Sequence, residues 1–253
     1  MTQARMRGFK QTTKPEQALR SFLDHLSLRP LESEQVPVDD ALGRVLAKDI
    51  VSDINIPTFD KAAMDGYAVT AEDTFGSSQT SPALLRIVGK IIMGASPTFE
   101  ITRGEAAEIT TGAVLPLGAN AVLMLEHVRR VDAEQIEVLW PVTPGENVSR
   151  AGEDVRQGDV VLNRGTRLIP PDIGMLAALM LNEVEVVCRP KVAILCTGSE
   201  LVELGDSLRQ GKIVNTNRFV LSGLVHELGG TALYLGIAKD SIEDISRLVR
   251  KGL

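Results

Sequence analysis

Between Pro57 and Pro144, glycine and proline cut the chain into short apolar runs, and no stretch sustains a helical period beyond two turns. Runs such as 84–88, 90–93, 106–110, 121–125 and 135–139 are long enough for strands and too short for helices. The pattern predicts a β-rich module at about 58–144. The sequence on either side reads differently. Before the module, Ala18, Leu19, Phe22, Leu23 and Leu26 recur at helical spacing behind Lys14-Pro15, which predicts an amphipathic helix over 14–28. Val36, Val38 and Ala41-Leu42-Gly43 then read as a short strand and turn leading into an extended segment, 44–50. After the module, Pro170-Pro171-Asp172 introduces a helix over 173–181, followed by a strand at 184–187.

From residue 187 an α/β pattern takes over. Residues 191–196 (KVAILC) form the continuous apolar run of a strand buried on both faces. A helix over 217–228 places Phe219, Val220, Leu224 and Leu228 on one side and stops at Gly229-Gly230. A strand follows at 231–237. Ser241, with Asp244 three residues on, then starts a helix whose buried stripe is Ile242, Ile245, Leu248 and Val249. The expected fold class is therefore multidomain, α+β then α/β. Its first domain is 1–186 with the inserted β-rich module, and its second is 187–253, the first part of a three-layer α/β domain. Two parallel strands leave both sheet edges open. This reads as a chain stopping inside a domain, beside the alternative of a short natural variant that ends here or is completed by a second chain.

Composition narrows the function classes. A chain of 253 residues with 44% hydrophobic and 24% charged residues has the make-up of a globular protein rather than a disordered one. The longest candidate for a membrane span, 175–181, has seven residues where about 18 are needed. No apolar core follows the basic N-terminal residues, so no secretory signal is expected. Cys188 and Cys196 cannot staple a chain of this size, and the expected location is the cytoplasm. A net charge of −6 disfavours nucleic acid as a partner, and only 4% aromatics leave no platform for stacking bases. An anionic small molecule stays open, provided amides, a few cations or a carboxylate-held metal meet it.

Four polar clusters set acid or hydroxyl groups beside glycine. The first runs from Pro57 through Asp60, Lys61 and Met64-Asp65-Gly66-Tyr67 to Val69, and the second from Glu108 through Thr110-Thr111-Gly112 to Ala121. In the second, paired hydroxyls end a strand just before a glycine, a geometry that exposes amides and hydroxyls to an anion. The third, 147–159, mixes Arg150 and Arg156 with carboxylates that include Asp154. Taken singly, each of the three reads first as a plain turn or a surface charge network. The fourth, Thr197-Gly198-Ser199-Glu200, follows a strand directly, at the end of an α/β sheet where ligands collect, and Asp240 holds the equivalent place after the next strand. Small residues there let backbone approach a phosphate, while Glu200 and Asp240 could ligate a hard divalent cation. His25, His127 and His226 show no zinc spacing, and no nucleophile elbow, Walker loop or dinucleotide fingerprint occurs.

In order and wording the clusters resemble the MoeA family, the molybdopterin molybdenumtransferases, which also includes the E domain of gephyrin. The resemblance runs from about residue 14 to 253. It rests on Phe59-Asp60 with Ala63-Met64-Asp65-Gly66-Tyr67-Ala68-Val69, on Thr111-Gly112-Ala113 with Pro116, Gly118 and Glu126, on Arg150-Ala151-Gly152-Glu153-Asp154, and on Arg189-Pro190-Lys191-Val192 leading to Thr197-Gly198-Ser199-Glu200-Leu201. It implies insertion of molybdenum from molybdate into adenylylated molybdopterin, with Mg²⁺-dependent release of AMP. It also implies a homodimer in which the α/β domain of one subunit faces the N-terminal domains of the other, and the molybdopterin adenylyltransferase as a candidate partner. On this resemblance Glu200 and Asp240 take the metal and adenylate side, and Asp65, Thr111 and Asp154 position molybdate or the pterin. Thr197, Gly198, Ser199 and Arg150 hold the cofactor.

The sequence departs from the family pattern at several points. Ser199 and Asn215 stand where the family usually has aspartate, and Asp60-Lys61-Ala62 differs from the common Asp-Asn-Ser. The family's later glycine-rich and proline-rich loops and its C-terminal β-barrel would fall beyond Leu253, so the chain as given is expected to be catalytically impaired. A non-catalytic, dimerising scaffold of gephyrin type is the alternative reading, and molybdate and tungstate are not separable by sequence.

Overall fold

The computed structural model of the protein describes residues 13–26 and 29–253. Helix α1 (Pro15–His25) starts with proline in its first turn. The last two residues of the expected 14–28 helix lie outside the described residues. None of its side chains is buried, and Leu19, Phe22, Leu23 and Leu26 stand exposed.

The chain divides into two compact units, Gln35–Val186 and a second formed by Met1–Glu34 with Val187–Leu253. The 35–186 unit holds a six-stranded sheet. Its strands, with the short Lys61–Ala62 strand (β1) ahead of them, are β2 (Gly66–Val69), β3 (Ala83–Ile91), β4 (Glu105–Ile109), β5 (Ala121–Met124), β6 (Val128–Arg130) and β7 (Gln135–Val138). The spatial order is β5-β2-β4-β3-β7-β6; β3 and β4 run parallel and every other pair is antiparallel. The edge strands β5 and β6 are separated only by the turn Leu125–His127. A connection of about four residues reaches about 14 Å at most. The sheet is therefore curled, its two edges brought towards each other.

Both faces of this sheet are packed. Tyr67, Val69, Leu85, Ala106, Ala121, Leu123, Ile136 and Val138 share one cluster, and Ala68, Ile91, Ala107, Ile109 and Val122 share another with Ala62, Ile101 and Ala113. The expected runs 84–88 and 90–93 join into the single strand β3, whose register shifts between Ile87 and Gly89. At Gly89 a Cβ would lie 2.6 Å from the Phe99 ring, so the close approach of that ring requires glycine. The rest of the unit packs around Leu46, Leu168, Leu176 and Val186, with helix α2 (Pro170–Ala178) held at its start by a hydrogen bond from the Ile169 amide to Asp172 Oδ2 (2.9 Å).

In the α/β unit, β9 (Lys191–Thr197) and β12 (Thr231–Ala238) run parallel, and the short strands β10 (Leu201–Val202) and β11 (Ile213–Val214) form a second parallel pair. Helix α3 (Asn217–Glu227) meets the Tyr234 face of the sheet through Arg218, and helix α4 (Ile242–Gly252) meets the opposite face, where Gly252 lies against Ala193 and Leu235. Two sequence expectations need correction here, the buried strand at β9 and the buried stripe of α4. Within β9 only Ile194 and Cys196 are buried, and Val192 is exposed. Helix α3 has no buried residue, and Phe219, Val220, Leu224 and Leu228 all face outward. In α4 only Leu248 is buried, while Ile242 is 86% exposed. Apolar periodicity marks a face suited to burial; a single helix over a two-stranded sheet covers little of it.

Candidate active site

The first three polar clusters interlock within the 35–186 unit. Strand β1 pairs with β8 (Val148–Ser149), bringing Lys61 opposite Ser149 and Ala62 opposite Val148. On its other side the amide of Ala62 donates to Ala113 O (3.0 Å), and that of Gly112 to Ala62 O (2.8 Å). Asp60 is clasped by both neighbours: its carbonyl accepts from the Leu115 amide (2.9 Å) and its Oδ1 from the Ala151 amide (2.7 Å). The amides of Gly152 and Asp154 donate to the carbonyls of Pro57 (2.9 Å) and Ile56 (3.0 Å). Segments 91 residues apart are thus one loop cluster.

At its exposed edge Asp65 Oδ1 accepts two hydrogen bonds from Thr111, from the amide at 2.7 Å and from the hydroxyl at 2.9 Å. The backbone bond first, and the hydroxyl second, hold the Asp65 carboxyl below the ordinary carboxylate range. Gly112, at φ +80°, supplies the left-handed turn directly after Thr111. Asp154 is exposed. Arg150 donates its amide to Glu153 Oε2 (3.1 Å), and its guanidinium lies against Gly145, where a Cβ would be 2.8 Å away.

The fourth cluster belongs to the α/β unit. Ser199 donates to Asp240 Oδ2 from both its amide and its hydroxyl, each at 3.1 Å, so the loop after β9 is tied to the loop after β12. Lys212 Nζ donates to the Ser199 carbonyl at 2.5 Å. Gly198 sits at φ +151°, and a Cβ there would lie 2.7 Å from Glu200 Oε1; the Glu200 carboxylate therefore folds back over Gly198. Among the described residues no group of three or more His, Cys, Asp or Glu side chains could hold a metal. Glu200 and Asp240 follow the ends of neighbouring parallel strands, and one or two carboxylates are the protein ligands Mg²⁺ commonly takes beside phosphate and water.

Asn215, directly after β11, lies 2% exposed. Its Nδ2 donates to the Tyr234 hydroxyl (3.0 Å), which donates in turn to Glu203 Oε1 (2.6 Å), while Arg218 Nη1 donates to the other Glu203 oxygen (2.9 Å). Burial first, then Glu203, push the Tyr234 phenol up to about 12. An aspartate at position 215 would have no N–H to give the phenol, which accounts locally for the neutral residue.

The structure thus brings Asp65 to Thr111 and Ser199 to Asp240, places Asp154 and Arg150 in the same loop cluster as Asp60, and sets Glu200 over Gly198. Sequence reasoning missed Lys90, Arg130, Lys212, Arg218 and Tyr234. Lys90 and Arg130 border a cleft of ≈ 320 Å³ lined also by Asp65, Tyr67, Glu108 and Thr110. No local signal marks those two, because they are 40 residues apart and meet only through the curl of the sheet.

A curled β-module with this loop cluster, preceding an α/β unit, defines a class of protein recognisable by comparison. Residues 13–179 match the model of the MoeA N-terminal region (domain I and II), and the chain belongs to that family. It is 38% identical over 226 residues to the molybdopterin molybdenumtransferase of Haemophilus influenzae and 36% identical over 225 residues to that of Bacillus subtilis, covering 89% and 88% of this chain. The MoeA protein of Pyrococcus horikoshii OT3 superimposes with a TM-score of 0.86 at 42% identity, covering 93% of this chain. The chain spans about half the length of the curated relatives, 54% and 52%, and 62% of the solved structure. Among the described residues no helix is long and apolar enough to cross a membrane.

Proposed function

We infer that the protein acts in molybdenum cofactor biosynthesis as a molybdopterin molybdenumtransferase, inserting molybdenum from molybdate into adenylylated molybdopterin with release of AMP. The observation that carries this reading is the doubly bonded Asp65–Thr111 pair in the interlocked loops of a MoeA-family chain. Held ionised and oriented, Asp65 offers its second oxygen to a hydroxyl or amino group of the pterin, while the Thr110-Thr111 turn meets the oxyanion. Asp154 and Arg150 form the next part of this wall. On this reading Gly198, free of a side chain, gives a phosphate close access to backbone once the Glu200 carboxylate swings off it towards the metal, while Ser199 ties the loop to Asp240. Glu200 and Asp240 would hold Mg²⁺, which supplies charge neutralisation of phosphate oxygens. The reading includes a cytoplasmic homodimer in which the two sets of residues face each other from different subunits, with the molybdopterin adenylyltransferase as supplier.

The scaffold alternative draws its sequence support from the neutral residues Ser199 and Asn215. Asn215 is spent on Tyr234 and on the amide of Arg218, and Ser199 retains a firm contact to Asp240, so both substitutions have local roles compatible with catalysis. Melting the purified protein with Mg²⁺ and adenylylated molybdopterin decides between them. A ligand at 100 times its dissociation constant stabilises by about 2.7 kcal/mol. In a version that carries the rest of the relatives' length, an unchanged melting temperature, with no AMP released on adding molybdate, would overturn the enzyme reading.

A further inference from the structure

The mouth of the curled sheet carries a charge arrangement that packing does not require. Lys90 on β3 stands directly opposite Glu108 on β4, with Nζ 3.2 Å from Oε2. Arg130, from the far edge strand β6, binds Oε1 of the same carboxylate. Its guanidinium is aimed by two further bonds, Nε to the Asp132 carbonyl (3.0 Å) and Nη2 to the Ala133 carbonyl (3.2 Å). Burial raises the Glu108 carboxyl, but the bonds and charges of Lys90 and Arg130 outweigh it and hold the group below its ordinary range.

The two cations share one carboxylate, so the Lys90–Glu108–Arg130 cluster carries one net positive charge, which the Asp65 carboxylate on the same ≈ 320 Å³ cleft balances. Lys90 reaches that face because of the register shift in β3: without the extra residue between Ile87 and Gly89, strict alternation would turn Lys90 away from the face of Leu85 and Ile87. Thr110 borders the same cleft, and its hydroxyl oxygen accepts from the Met93 amide (3.1 Å), leaving its proton free to donate. A solvated ion pair contributes little to stability and needs only one cation. A guanidinium fixed by its own backbone, a lysine with spare donors and a hydroxyl, converging on a concave surface, match a tetrahedral oxyanion.

We propose that Lys90 and Arg130, bridged by Glu108, form an oxyanion-binding subsite beside Asp65. It takes a phosphate group of the pterin nucleotide or the molybdate ion, and that choice of sources rests on the function inferred above. Lys90 supplies the point charge and Arg130 the directed donors, while Glu108 holds the two cations together and limits their affinity so that the anion can leave.

The test is isothermal titration of the whole 253-residue protein with inorganic phosphate and, separately, with molybdate. Lys90→Gln and Arg130→Gln should each weaken the preferred anion about tenfold, Lys90→Arg should retain it, and Glu108→Gln should tighten it severalfold because the net charge rises. Preference for phosphate assigns the nucleotide, and preference for molybdate the oxometallate. Absence of binding by either probe, indifference to the Lys90 and Arg130 changes, or weakening in folded Glu108→Gln would each overturn the subsite. If Lys90→Gln or Arg130→Gln fails to fold, Lys90→Arg against Glu108→Gln still decides by the sign of the Glu108 effect. A pterin nucleotide that stabilises the protein while neither anion senses Lys90 sinks the subsite alone. Anion binding at Lys90 without any pterin response sinks the inferred function alone.

Discussion

Thr111 donates twice to the same oxygen of Asp65, through its amide and through its hydroxyl, and so fixes a carboxylate on an exposed turn. Thr111→Val removes the hydroxyl and leaves the amide. The Asp65 carboxyl, held below its usual range in the native protein, should move up part of the way, because the backbone bond is the larger cause. The sign follows from linkage: a carboxyl lowered by folding adds stability above its unfolded titration range and loses it as pH falls through the folded one. Carboxyl NMR titration should therefore show Asp65 protonating at a higher pH in Thr111→Val, with the acid limb of any Asp65-dependent activity moving the same way.

Both tyrosines resist ionisation. Burial raises Tyr67, and burial with Glu203 raises Tyr234 to about 12. Free tyrosine ionises near ~10. The folded protein should show less phenolate absorbance at that pH than the unfolded chain, and stability should fall as pH rises between there and about 12, because the unfolded chain gives up protons that the native state keeps. Spectrophotometric titration with and without urea measures both effects.

Tyr234→Phe deletes the acceptor of Asn215 Nδ2 and the donor to Glu203. Since Asn215 is 2% exposed, its amide loses a partner that water cannot replace, and the cost should be about 1–3 kcal/mol in urea denaturation.

Gly66 is set in β2 between β4 and β5, and a Cβ there would fall 1.8 Å from the backbone oxygen of Leu123. That atom belongs to a paired strand and cannot give way as a side-chain tip would. Gly66→Ala should cost at least about 3 kcal/mol, seen as loss of the cooperative melt.

Leu176→Ala removes a fully buried side chain from the core around α2 and should cost about 2–5 kcal/mol. Ile242→Ala, at a position 86% exposed in this structure, should stay within about 0.5 kcal/mol. Equal losses at the two sites would restore the stripe expected for α4 from periodicity.

Elements whose signals lie within a few residues were legible from sequence. The Ser241 hydroxyl accepts from the Asp244 amide at 3.2 Å, as the spacing implied, and the Gly229 and Gly230 amides close α3 onto the carbonyls of His226 and Val225. The pairing of Asp65 with Thr111 could be anticipated only as two separate motifs, because their contact spans 46 residues. The cation pair at the cleft had no sequence signal at all.

Turn residues, caps and apolar runs are set by interactions along the chain, so the amino-acid sequence by itself determined the β-rich module, the α/β unit and the loops that carry Asp65, Thr111, Asp154, Ser199 and Asp240. Which of those loops touch, which apolar faces stay open and which way Lys90 points were decided only in three dimensions. A one-residue register shift in β3 and the curl that brings β6 towards β4 depend on contacts between distant strands, which no local pattern encodes.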